Sequence, residues 1–189
     1  MPWTRRAMVA LAFVSSARGA TSRASARVAP STWTLRDLPS RYERIHDVDR
    51  ENETSSRALF RDKTFGYNGN VVVVTTTTAT SGGPRALADV GDVEEVARRL
   101  CAKENAKRNG EAKCEVISFA STTSNGEERY VIELSKDAGG ARRRSVLALA
   151  LSVDGESSTL VVMDIETDER TFANENVARE LRGVTLAIE

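Results

Sequence analysis

Histidine is almost missing from this chain: His46 is the single imidazole in 189 residues. An acid–base or nucleophilic enzyme needs a base, a nucleophile or a metal held in a defined pocket, and one histidine offers little from which to build one, so the sequence reads as non-enzymatic. Cysteine is nearly as scarce. Cys101 and Cys114 are the only two, and without a CxxC redox pair thiol catalysis is not expected. No apolar run approaches the roughly 20 residues of a bilayer-spanning helix. Basic residues are not in excess either, since 27 Lys and Arg balance 27 Asp and Glu. The concentrated positive face that drives counterion release from nucleic acid is therefore not expected. Internal repeats and low-complexity tracts are also lacking.

Acidic residues are absent from residues 1–26, which run from Arg5 and Arg6 through an apolar block at 7–14 into small residues. That is the layout of a cleavable export signal. Ala24-Ser25-Ala26 places cleavage after Ala26, with Gly19 or Ala20 as alternatives, so residues 1–26 are assigned to targeting and 27–189 to one domain. Arg5-Arg6 ahead of the apolar block suits a twin-arginine signal, and an ordinary Sec-type signal with two arginines fits as well. Removing Arg5, Arg6, Arg18 and Arg23 leaves the processed chain with a net charge of −4, which gives no general attraction to nucleic acid or anionic lipid.

What is present is a strand-rich pattern. Two short extended runs at 32–35 and 42–45 flank a turn at Leu38-Pro39-Ser40, and residues 47–56 read as a polar surface loop. A short strand is expected at 58–61. After the Asn68-Gly69 turn, the valines and threonines of 71–78 give the strongest β signal. Val93, Val96, Ala97, Leu100 and Cys101 then follow helical spacing, with Asp92 and Glu95 as a capping pair and Asn109-Gly110 as a stop. A hairpin at 114–122 and 129–134 turns at Ser124-Asn125-Gly126. A second, at 145–153 and 159–166, turns at Asp154-Gly155 and is apolar at nearly every position, as expected where both sides of a sheet are covered. Val177, Leu181, Val184 and Ile188 predict a closing helix with Asn174 as N-cap. The order is α+β, with an antiparallel sheet built from hairpins.

Few residues offer chemistry. His46 beside Asp47 and Asp49 is a conceivable cation site, for calcium or manganese, or else an exposed strand-end histidine in an acidic loop. In an exported protein Cys101 and Cys114 either form a disulfide closing a loop of about 13 residues, or serve as small apolar residues. Arg142-Arg143-Arg144 is the densest positive run. It reads as a docking site for acidic segments of a partner, or as the solvated start of a strand that discourages edge pairing. Asn52-Glu53-Thr54 is a formal glycosylation sequon.

The stretch 87–100, Leu-Ala-Asp-Val-Gly-Asp-Val-Glu-Glu-Val-Ala-Arg-Arg-Leu, resembles the helix start of the PsbP family, and the valine run at 70–75 resembles the strand before it. Trp33-Thr34-Leu35-Arg36-Asp37-Leu38-Pro39 is similar to the family's opening, 58–62 to its next strand, and Glu128 to Leu134 to a later one. The resemblance implies a PsbP-like α/β/α sandwich with a central antiparallel β-sheet flanked by helices. It also implies a non-catalytic protein of the chloroplast thylakoid lumen, peripheral to the membrane, partnered by lumenal subunits of photosystem II or their assembly intermediates. A secreted or lumenal module binding a small ligand or calcium or manganese is the alternative. Three departures favour an assembly or maintenance role over the stoichiometric oxygen-evolving subunit. Only about six residues separate Ala26 from Trp33, where the family member that retains ions at the oxygen-evolving complex carries a longer arm. Phe172 stands where the family often has tryptophan, and Asp92-Val93 replaces a proline-containing cap.

Overall fold

The computed structural model describes residues 33–49, 54–64, 70–106, 112–124, 126–138 and 140–188. The export signal, Asn52 and the Asn109-Gly110 stop lie outside them. Valine and threonine favour a pleated, half-buried backbone, and the run that holds most of them forms β4 (Val71–Ala79) near the middle of the sheet. Before it come β1 (Trp33–Arg36), β2 (Tyr42–Asp49) and β3 (Ser55–Asp62); after it come the short α1 (Leu87–Val90) and α2 (Val93–Ala106). Four long strands follow, β5 (Ala112–Ser124), β6 (Glu127–Ala138), β7 (Arg142–Asp154) and β8 (Ser157–Asp168), then α3 (Glu169–Phe172), α4 (Glu175–Gly183) and β9 (Thr185–Ile188).

Seven strands form one antiparallel sheet in the order β2-β3-β4-β8-β7-β6-β5. Helices lie on both faces, the α+β sandwich expected from the sequence. The β7–β8 hairpin turns at Gly155, whose φ of +56° is a left-handed conformation open to glycine. On β7, residues 145–150 are all buried, because the two helix layers cover opposite sides of the same strand.

Period-two alternation divides the interior into two cores. Val96, Ala97, Leu100 and Cys101 of α2 pack on Ile132, Leu134, Leu147 and Leu149. On the other face Ala178 and Leu181 of α4 pack with Val72, Val74, Val146, Met163 and Ile165. Each fully buried branched aliphatic contributes about 1.5–3 kcal/mol. Asp92 Oδ1 accepts the Glu95 N–H at 2.8 Å and so starts α2, while Asn174 Oδ1 caps α4 by accepting from Asn176 and Val177.

Two expectations are corrected. Residues 47–49 and 55–56 are strand instead of loop, since Asp47, Val48 and Asp49 pair with Ala58, Arg57 and Ser56. Backbone pairing is indifferent to polar side chains there, so a polar composition did not preclude a strand. The closing helix ends at Gly183, and Thr185–Ile188 forms β9, paired antiparallel with β1 from Arg36↔Thr185 to Trp33↔Ile188. Helical spacing at Val184 and Ile188 was satisfied equally by a bend at Gly183 followed by a strand, and β1 would otherwise lack any partner. No helix among the described residues is long and apolar enough to cross a membrane.

Candidate docking site

Strand geometry breaks up the arginine run. Successive side chains on β7 point to opposite faces, so Arg143 goes to the α2 face and Arg144 to the α4 face, while Arg142 at the strand's start is 72% exposed beside Asp137 at 3.8 Å. Arg143 pairs with Glu166. The same carboxylate lies 3.6 Å from Lys136 Nζ, which also approaches Asp164 at 3.7 Å. Burial lowers the Lys136 pKa, and the Asp164 and Glu166 carboxylates outweigh it and raise the value above the ordinary lysine range. Burial pushes the Asp164 carboxyl up, against the pull of Lys136 and of the Ser145 hydroxyl, which donates to it at 2.8 Å. The cluster is internally neutralised and does not present free charge.

Arg144 enters a second network. Its Nη1 donates to Glu133 Oε1 at 3.0 Å, and its Nε donates to Glu169 Oε2 at 3.1 Å. Hydrogen bonding to Glu169 holds its pKa above the ordinary arginine value despite partial burial. Arg182 of α4 donates to the same Glu133 through Nε and Nη2, at 3.0 and 3.1 Å. Glu133 is buried, so one carboxylate on β6 is gripped by guanidinium groups from β7 and α4. Phe172 lies under both, 5.5 Å from the Arg144 guanidinium carbon and 4.8 Å from that of Arg182, within cation–π range. Thus two of the three arginines expected to dock a partner are held by the protein's own carboxylates.

Above this network is an open groove of about 690 Å³, bounded by Arg144, Glu169, Phe172, Glu175, Arg179 and Arg182. A shallower groove of about 640 Å³, between Asp37 and Glu180, lies across α4. Arg179 borders both, is exposed, and has no acidic partner among the described residues. Arg182 is half exposed even with Glu133 engaged. The arrangement suits an acidic or carboxylate-bearing group approaching along α4: two cations face outward, one uncommitted, over an aromatic floor. The sequence reading had singled out Phe172 but not Arg179, Arg182, Glu133 or Glu169. Alternation on β6 and β7 carried the only signal, placing Glu133 and Arg144 on one face once the hairpin register is fixed.

Cys101 and Cys114 are joined by a disulfide with a Cα separation of 5.2 Å, tying α2 to the start of β5. The backbones of His46, Asp47 and Asp49 lie in β2, opposite Leu59, Ala58 and Ser56; their side chains are outside the described set. Among the described residues no group of three or more His, Cys, Asp or Glu is placed to hold a metal ion.

The sequence model of the PsbP family matches residues 30–185. The cyanobacterial PsbP (CyanoP) of Synechocystis has a similar solution structure, with a TM-score of 0.56 and 16% identity, covering 88% of this chain and 98% of CyanoP. LpqN of Mycobacterium tuberculosis, a protein involved in cell envelope biogenesis, is similar at a TM-score of 0.54 and 9% identity, covering 85% of this chain and 86% of LpqN. At these identities the likeness shows the fold alone. No curated protein sequence matches the chain.

Proposed function

The chain belongs to the PsbP family, and from that premise we propose that it is an extrinsic, non-catalytic protein of the chloroplast thylakoid lumen that binds photosystem II subunits or assembly intermediates. The observation that carries this reading is the family match across residues 30–185, which takes in both helix layers and the whole seven-stranded sheet. The groove along α4 is the proposed docking surface. Its Phe172 floor is the position at which the chain departs from the family's usual tryptophan, in keeping with an assembly or maintenance role. Rim charges act chiefly on association rate and salt dependence. Arg179 and Arg182, in place of the whole Arg142 to Arg144 run, are the cations that would meet an acidic lumenal segment.

The test adds purified chain to photosystem II membranes stripped of extrinsic proteins and measures binding and oxygen evolution at low calcium and chloride. Binding without full restoration of activity is expected, weakened by Arg179→Glu at low ionic strength and little changed at high salt. Absence of binding to both mature and assembling complexes overturns the reading. Full restoration makes the protein a stoichiometric oxygen-evolving subunit instead.

A second reading rests on the size of the groove and on a fold shared with a mycobacterial envelope protein: a separate ligand-binding module. Calcium or manganese at His46, Asp47 and Asp49 belongs to it. Calorimetric titration with each ion checks that part, and heat that persists in a His46→Ala variant removes those residues from consideration.

A further inference from the structure

The sheet ends on β5, and most of this strand is bare. At its start the edge is covered: the Cys114 N–H turns away from β6 and donates to Asn105 Oδ1 of α2 at 2.8 Å, and the disulfide holds that helix turn in place. Beyond Val116 the cover stops. Every residue from 117 to 123 is exposed, so α2 does not overhang this stretch on either face. Natural edge strands are protected by charge, proline, a covering element or a bulge. Here the stretch reads Ile-Ser-Phe-Ala-Ser-Thr-Thr, without charge or proline, and the one bulge falls at its beginning, between Val116 and Ser118. Three large apolar side chains stand out in water beside it, Ile117 at 46%, Phe119 at 43% and Val131 of β6 at 37%.

We infer that this edge pairs with the same edge of a second copy, β5 against β5 in antiparallel register about a two-fold axis near Phe119. Three observations choose that occupant. The open window runs from just past the blocked Cys114 to the turn after Ser124. A two-fold near its centre sets the blocked end of one copy against the turn end of the other, so neither obstructs pairing. Residues 116–123 are uncharged, and a two-fold at Phe119 sets the Glu115 of each copy opposite the other copy's Thr123, so the apposition places no like charges directly across the seam, where they would be destabilising. It also brings Phe119 and Ile117 of both copies together, removing from water apolar surface that the isolated chain leaves exposed. The nine-residue window, 115–123, spans roughly 30 Å. A strand pairing of that length buries less than the roughly 1,200 Å² of a standard interface. The dimer is accordingly weak and concentration-dependent, and its closed two-fold symmetry ends the assembly at two copies.

Sedimentation equilibrium of the purified chain, combined with amide hydrogen exchange, tests this. The average mass is expected to rise from monomer towards dimer between about 10 μM and 1 mM, with exchange slowing over the same range in residues 117–123. Phe119→Lys and Ile117→Lys, at exposed positions where folding is unaffected, should each weaken association at least tenfold and abolish the added protection. Their melting temperatures should match that of the unchanged chain. A chain that stays monomeric up to about 1 mM overturns the inference, even if it then captures an extended apolar peptide. So does a dimer that both lysine variants form equally well, or one whose protection lies elsewhere.

Discussion

The two helix layers are fastened to the same sheet by different means. On one face α2 presents an apolar stripe to Ile132, Leu134, Leu147 and Leu149 and is tied down by the bridge to Cys114. On the other, α4 buries Ala178 and Leu181 but is closed by ion pairs through Glu133, with Arg144 and Glu169 extending the network to α3. The first attachment is non-directional and dry. The second depends on geometry and on charge, and it leaves cations turned towards solvent where a partner can reach them. The groups that fasten α2 are spent inside the core, whereas the lattice that fastens α4 keeps Arg182 half exposed.

The contrast is broken most severely from the apolar side. Leu100 is 5% exposed, and Leu100→Ala should cost about 2–5 kcal/mol in urea unfolding. Exposed Arg98, paired with Glu94 four residues earlier on the outer face, should lose less than about 0.5 kcal/mol on conversion to alanine. Equal losses at the two sites would mean that the helix face is misassigned. Reducing the disulfide should cost on the order of 3 kcal/mol and lower the melting temperature by several degrees, with hydrogen exchange rising first at the α2 C-terminus. An unchanged melting curve would show that apolar packing alone holds this layer.

On the polar face, Glu133→Ala leaves Arg144 with Glu169 and Arg182 with water, since Arg182 is already half exposed. The expected loss is smaller, about 2–3 kcal/mol, and should shrink in Glu133→Gln, which keeps acceptor capacity. Added salt should change the stability of the two variants and the parent differently, which it should not do for Leu100→Ala. The smallest effect concerns the polar lip of the α2 layer. Asp89 accepts the Arg85 and Ala86 N–H groups, and these bonds hold its carboxyl below the ordinary range. A depressed folded pKa stabilises above the ordinary carboxylate value of about 3.9 and loses that contribution as pH falls through the folded value. The melting gap between the parent and Asp89→Ala should be open at pH 7 and close in acid; a gap that persists unchanged contradicts it.

Legibility followed the same division. The α2 stripe was readable because Val96, Ala97, Leu100 and Cys101 lie within one short span at helical spacing, and β4 because β-branched residues crowd it. The polar lattice was not, since Glu133 and Arg182 are 49 positions apart and meet only after the sheet has formed. Arg142 to Arg144 read as one patch along the chain, and alternation sent Arg143 and Arg144 to opposite faces and left Arg142 exposed at the strand's start. The last strand was hidden for a related reason: Val184 and Ile188 fit a helix period locally, and only the distant β1 decides between helix and strand.

That last pairing fixes when the molecule can be finished. Trp33 has its partner in Ile188, so the first strand of the domain waits for the last to leave the ribosome, and until then the α4 side has neither its closing strand nor Leu186 in its core. A chain made from the N-terminus can assemble its hairpins in sequence, but it cannot close this seam until residues 185–188 have been made, about 150 positions after the strand they cover.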